Sequence, residues 1–166
     1  ASMGGAIAME LARQHPEKIT RMLLLAPAGL TGKQTPIPRF LDQIGVWFLS
    51  RPEIRKRLCR TAFDNPSLYV GEAEEQIASF HLQVPRWGDS LAAFARSGGV
   101  ANLGLPLPNQ PFQSLWGEND RILKGPQKEA ALKLLTGRIK ELKTCGHLPH
   151  LERPELVADC WLNCIE

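Results

Sequence analysis

The stretch "MLLLA" at residues 22–26 constrains this chain more than any other. It is an unbroken apolar run, too short for a helix, and it is stopped by Pro27 and Gly29. Such a run suits a strand buried on both faces, the situation of a strand in a parallel sheet covered by helices. The residues before it read as a helix from Met3 to Gln14. His15-Pro16 closes that helix, because the residue before a proline is pushed out of helical geometry. Strand and helix in alternation give an α/β layered fold.

The pattern then changes. Between residues 31 and 108, Phe40, Ile44, Trp47 and Phe48 fall at helical spacing, as do Ile54, Leu58 and Ala62. "EAEEQIASFHLQV" and "DSLAAFARSGG" add two more helical patterns, with Pro52, Pro66 and Pro85 as punctuation. This reads as an insertion of four short helices with no strand of its own. After it the α/β pattern resumes. "FQSLWGEND" is a strand running into a loop, and "GPQKEAALKLLTG" is a helix with Pro126 in its first turn and Gly137 past its end. "RIKELKT" alternates as a strand, "CGHLPHLER" is a loop, and "PELVADCWLNCI" is a closing helix.

Three turns at predicted strand ends carry a serine, an aspartate and a histidine: Ser2, Asp120 in "WGEND" and His147 in "CGHLPH". In a doubly wound sheet the carboxyl ends of the strands share one edge, so three distant residues can converge there. A serine is a weak nucleophile until an imidazole takes its proton, and a carboxylate fixes that imidazole's tautomer. Ser2 lies on a tight turn feeding a helix, with Gly4 and Gly5 expected to let backbone pack closely behind it. Each residue also has a plain reading. Ser2 suits a helix N-cap, Asp120 a turn, and His147 a loop histidine bonded to backbone.

Taken together and in this order, these segments resemble the carboxyl-terminal two-thirds of an α/β-hydrolase. That family's nucleophile elbow reads G-x-S-x-G, and here it appears as Ala1-Ser2-Met3-Gly4, with the first glycine falling before residue 1. "LWGENDRI" is similar to the acid loop and "GHLPHLERPELV" to the histidine loop with its last helix. The resemblance implies a partial α/β-hydrolase fold, with residues 1–30 and 109–166 as the core and 31–108 as a helical cap. It implies a serine hydrolase acting on an ester, thioester or related acyl or carbon–carbon bond through an acyl-serine. Ser2 is then the nucleophile, His147 the base, Asp120 its orienting acid, and the Met3 N–H one oxyanion donor. No cofactor or metal is implied, and the substrate is a small acyl or lipid-like molecule. A serine at the elbow argues against epoxide hydrolases and haloalkane dehalogenases, which use aspartate there.

The family's second oxyanion donor comes from a loop after an early strand that this sequence does not contain. Losing one such donor costs about 3 kcal/mol in the transition state. The expectation is therefore a piece of a longer hydrolase that begins inside its own catalytic motif. The alternative is a catalytically inactive fragment acting as a binding or assembly module, with self-association through an exposed edge of the "MLLLA" strand.

Composition is consistent with a globular domain: 43% apolar, 22% charged and a formal charge of +3, too mild to imply nucleic acid. No signal peptide or membrane-spanning run is evident, and four scattered cysteines do not make a secreted disulfide framework, so a cytoplasmic setting is expected. Cys145, His147, His150, Cys160 and Cys164 form C-x-H-x-x-H followed by C-x-x-x-C, but this spacing matches no common zinc module. His15 is read as closing its helix, His150 as packing near the last helix, and His81 as a surface residue. Trp47, Phe48 and Leu49 precede "RPEIRKRLCR"; a solvated helix face is the ordinary reading of that run, weak contact with a membrane surface or amphiphile the other.

Overall fold

The computed structural model describes residues 1–30, 38–96 and 105–163. The "MLLLA" run forms β1 (Met22–Leu25), followed much later by β2 (Phe112–Gly117) and β3 (Ile139–Leu142). The three make one parallel sheet in the order β1-β2-β3, with Met22 opposite Phe112 and Ser114 opposite Ile139.

Both faces of the sheet are covered, which is why β1 reads as a continuous apolar run instead of alternating. Met22 and Leu24 face one side with Phe112 and Trp116, packed by Met9 and Ala12 of α1 (Met3–Gln14) and by Ala131 of α7 (Pro126–Leu134). Leu25, Leu115 and Leu142 face the other side, against Cys160 and Val157 of α9 (Pro154–Asn163). The contact between α1 and the chain leaving β1 is close enough to require a glycine. A Cβ on Gly5 would lie 2.6 Å from Cβ of Pro27, whereas Gly4 has nothing within 4 Å. The close approach expected behind Ser2 therefore belongs to Gly5 alone.

Between β1 and β2 the described residues are helical: α2 (Arg39–Ser50), α3 (Pro52–Thr61), α4 (Pro66–Tyr69), α5 (Glu72–Ile77), a 3-10 turn (Phe80–Gln83) and α6 (Trp87–Arg96). Five helices replace the four expected. "PSLY" forms its own turn of helix behind Pro66, and "EAEEQIASFHLQV" breaks after Ile77, where Ser79 turns its backbone N–H to the Gln76 carbonyl. The basic stretch at α3 is only partly a solvated face. Arg60 and Lys56 reach Glu75 of α5 at 3.1 and 3.5 Å, and Arg55 bonds the Ala78 carbonyl. Trp47 and Phe48 are exposed. No helix among the described residues is long and apolar enough to cross a membrane. The loop expected at "CGHLPHLER" contains a further short helix, α8 (Pro149–Glu152), started by Pro149.

Candidate active site

The carboxyl ends of β2 and β3 are joined backbone to backbone. Beyond β2, Glu118 N–H donates to the Leu142 carbonyl and Asn119 N–H to the Cys145 carbonyl, both at 2.9 Å. This zipper is possible because residue 117 is glycine: a Cβ there would sit 1.9 Å from the Gly146 carbonyl oxygen. The acid loop and the histidine loop are thereby held against each other. Asp120 and His147 meet across them, with Nδ1 of His147 2.8 Å from Oδ2 of Asp120 and each residue 5% exposed.

The two oxygens of Asp120 have separate tasks. Oδ1 accepts the N–H groups of Ile122 and Leu123 at 2.8 and 3.0 Å, closing the turn of its own loop. The turn reading of Asp120 holds through Oδ1, while Oδ2 is the oxygen that pairs with His147. An ionised carboxylate can only accept, so the pairing places the imidazole proton on Nδ1 and leaves the Nε2 lone pair for a hydroxyl. The backbone of His147 is fixed as well, its N–H donating to the Ala62 carbonyl at 2.7 Å.

Ser2 stands at the carboxyl end of β1. Its N–H donates to the Leu25 carbonyl at 2.8 Å, and its carbonyl accepts from Gly5 and Ala28 at 2.8 and 3.0 Å. These three bonds hold it at φ 48° and ψ −126°, and its side chain makes no capping bond to α1. The N-cap reading thus fails for Ser2. A non-glycine residue in such a conformation costs about 1–3 kcal/mol and persists only where its surroundings over-determine it. Among the described non-glycine residues Ala26, Arg86 and Thr144 also have positive φ; Ala26 directly follows β1 and Thr144 lies two residues past the end of β3. The Met3 N–H, first in α1, is one of the donors that a helix start leaves without an intrahelical acceptor.

A strained serine before a helix and a buried Asp–His pair thus stand at one sheet edge, and residues 1–160 match the alpha/beta hydrolase family. The chain belongs to that family. It is similar to an alpha/beta hydrolase domain-containing protein, VTE7 of Arabidopsis thaliana, at 27% identity over 160 residues, covering 93% of this chain and 48% of the relative. It is also similar to the 2-hydroxymuconate semialdehyde hydrolase of Pseudomonas putida, at 27% identity over 173 residues, covering 95% and 57%. Among solved structures, the 2-hydroxy-6-oxo-6-phenylhexa-2,4-dienoate hydrolase of Rhodococcus sp. strain RHA1 superposes with a TM-score of 0.70 at 19% identity, covering 97% of this chain and 60% of that one. The chain thus spans about half to three-fifths of the length of these hydrolases.

The remaining candidates fall elsewhere. His15 ends α1, its N–H donating to the Leu11 carbonyl. The His81 ring lies tilted against that of Trp87 within the helical segment, centroids 5.0 Å apart, and burial followed by the Arg55 charge pushes its pKa down. His150 lies on α8 and is exposed. Partial desolvation, then the Ala1 α-amino group, then His147 lower its pKa. Cys145 and Cys160 are buried in the core, and Cys164 lies outside the described residues. Among the described residues no three His, Cys, Asp or Glu side chains are grouped to hold a metal ion.

One residue of the site escaped the sequence reading. Glu152, 3% exposed, accepts the Gly146 N–H at 2.7 Å and the Asp64 N–H at 2.8 Å. Nothing in "HLPHLER" separates a buried glutamate from an ordinary surface one.

Proposed function

We propose that this alpha/beta hydrolase chain uses Ser2, His147 and Asp120 as a catalytic triad, with residues 31–108 as its cap. The observation that carries the reading is the buried bond between His147 Nδ1 and Asp120 Oδ2. It sets the base's tautomer at the sheet edge where a serine is held in a strained turn. Ser2 Oγ attacks the acyl carbon as its proton passes to Nε2 of His147. The proton then goes to the leaving group, giving an acyl-serine. Water, activated by the same Nε2, returns the serine and releases the acid. Asp120 stabilises the imidazolium throughout, and the Met3 N–H faces the developing oxyanion.

The substrate class proposed is a small molecule with an ester, thioester or related acyl or carbon–carbon bond whose cleavage passes through an acyl-serine. The likeness to a hydrolase named for 2-hydroxymuconate semialdehyde supports a small-molecule substrate. The test is labelling with a fluorophosphonate, mapped by peptide mass, beside a urea-denatured control and Ser2→Ala. Label confined to Ser2 in the native protein is expected. Its absence from native protein returns the chain to the alternative, an inactive module that binds or assembles.

A further inference from the structure

Gly146 is threaded through a gap that admits no side chain. A Cβ there would lie 2.5 Å from the Ala62 carbonyl oxygen, 2.7 Å from the Asp64 nitrogen and 2.8 Å from Oε1 of Glu152. On one side of this gap is the turn after α3, and on the other is the carboxylate of Glu152. That carboxylate takes one backbone N–H from the threaded segment and one from the facing wall, Gly146 on Oε1 and Asp64 on Oε2. The next residue, His147, continues the clamp by donating its own N–H to the Ala62 carbonyl. Asp64 turns its side chain to the acid loop, where Asn119 Nδ2 donates to Oδ1 at 2.8 Å and Arg121 donates to the backbone carbonyl of Asp64 at 3.1 Å. Beside it, Arg153 joins Tyr69 Oη to the Thr144 carbonyl. Residues 62–69 of the helical segment are thus bonded to both loops that carry the base and its acid.

We propose that Glu152 is a positioning residue: by bridging Gly146 and Asp64 it holds the histidine loop against the turn after α3, and so keeps the His147 imidazole on Asp120 and aimed at Ser2. A single oxygen would fix one wall only; two oxygens fix the gap between them. Removing the bridge leaves two buried N–H groups to seek new acceptors, which the loops reach only by moving. A displacement of about 1 Å at a reacting group costs roughly a hundredfold in rate. The same bridge makes the base sensitive to movement of the helical segment. This proposal rests on the triad reading, and the experiment separates the two.

The full chain is prepared with Glu152→Gln, which preserves volume, and with Glu152→Asp, which keeps the charge but shortens its reach. Each is checked by thermal melting, by hydrolysis of p-nitrophenyl esters, and by the low-field NMR resonance of the His147 Nδ1 proton. The expected result for Glu152→Gln is a folded protein with kcat and the rate of fluorophosphonate labelling lower by about a hundredfold. KM is expected to be unchanged and the low-field proton lost or broadened. Glu152→Asp falls between the two and is read in its place if the Gln variant does not melt cooperatively. A folded variant with parental kcat and an intact low-field proton overturns the proposal. If the parent itself neither labels nor turns over, the triad reading has failed, and the NMR resonance alone decides: lost in the variant it supports positioning by Glu152, retained it refutes it.

Discussion

Gly117→Ala is the sharpest test of how the site is held together. The added Cβ would lie 1.9 Å from the Gly146 carbonyl oxygen and 2.4 Å from that of Cys145. Carbon and oxygen do not approach closer than about 3 Å, so the two strands must separate locally by about 1 Å. Both obstacles are backbone atoms, and no rotamer change relieves them. The cost therefore belongs at the upper end of the overpacking range, about 3 kcal/mol. In a chain of this size that lowers Tm by roughly 6–12 °C. Catalysis suffers separately, because the displaced segment leads directly into His147 while the strand that moves away leads into Asp120. Thermal denaturation reads the first effect and the rate of fluorophosphonate labelling the second. Gly45→Ala is the control: it lies within α2 with nothing within 4 Å, and alanine there is expected to stabilise by about 0.5–1 kcal/mol. A Gly117→Ala variant that melts within about 2 °C of the parent and labels at the parental rate refutes the close zipper between the two loops.

Asp120→Asn should lower kcat by about 10⁴-fold with little loss of Tm, since its Oδ1 still accepts from Ile122 and Leu123 while the amide nitrogen faces Nδ1 and forces the wrong tautomer; steady-state kinetics check it. Cys145, fully buried and with its thiol pushed up to about 12 by burial first and the Glu152 charge next, should resist iodoacetamide at about pH 8 until the protein is unfolded, as peptide mapping would show. Burial raises the Glu152 pKa above its ordinary value, against the bonds from Asp64 and Gly146 that lower it. A carboxyl raised on folding contributes stability that is full below its unfolded pKa and is lost as pH rises through the folded one. The stability advantage of the parent over Glu152→Gln should accordingly shrink as pH rises out of the acid range, measured by urea denaturation across pH.

The sheet was legible because β1 is buried on both faces and shows it in four consecutive apolar residues, while β2 and β3 end in loops with recognisable turn residues. Ser2, Asp120 and His147 stood out by residue type, order and position after strands. What did not show is whatever depends on a neighbour distant in sequence. The need for glycine at 117 and 146 comes from loops that only the folded sheet brings together. The second task of Asp120 and the burial of Glu152 depend on where backbone N–H groups point, which residue type does not encode. Short helices such as α4 and α8 are set by one proline and a tertiary contact, too brief to leave a periodic trace.

The register of the sheet also implies an order of assembly. Ser114 and Ile139 pair across little more than α7, whereas Met22 and Phe112 pair across the whole helical segment. Closing the longer loop is entropically dearer by nearly two doublings of length, about 1 kcal/mol, and slower. The βαβ unit of β2, α7 and β3 can therefore form first, bringing Asp120 to His147 while Ser2 is still remote. On this sequence of events His147 is paired with Asp120 before Ser2 arrives, and under the proposed triad the strand that docks later is the one that brings the nucleophile.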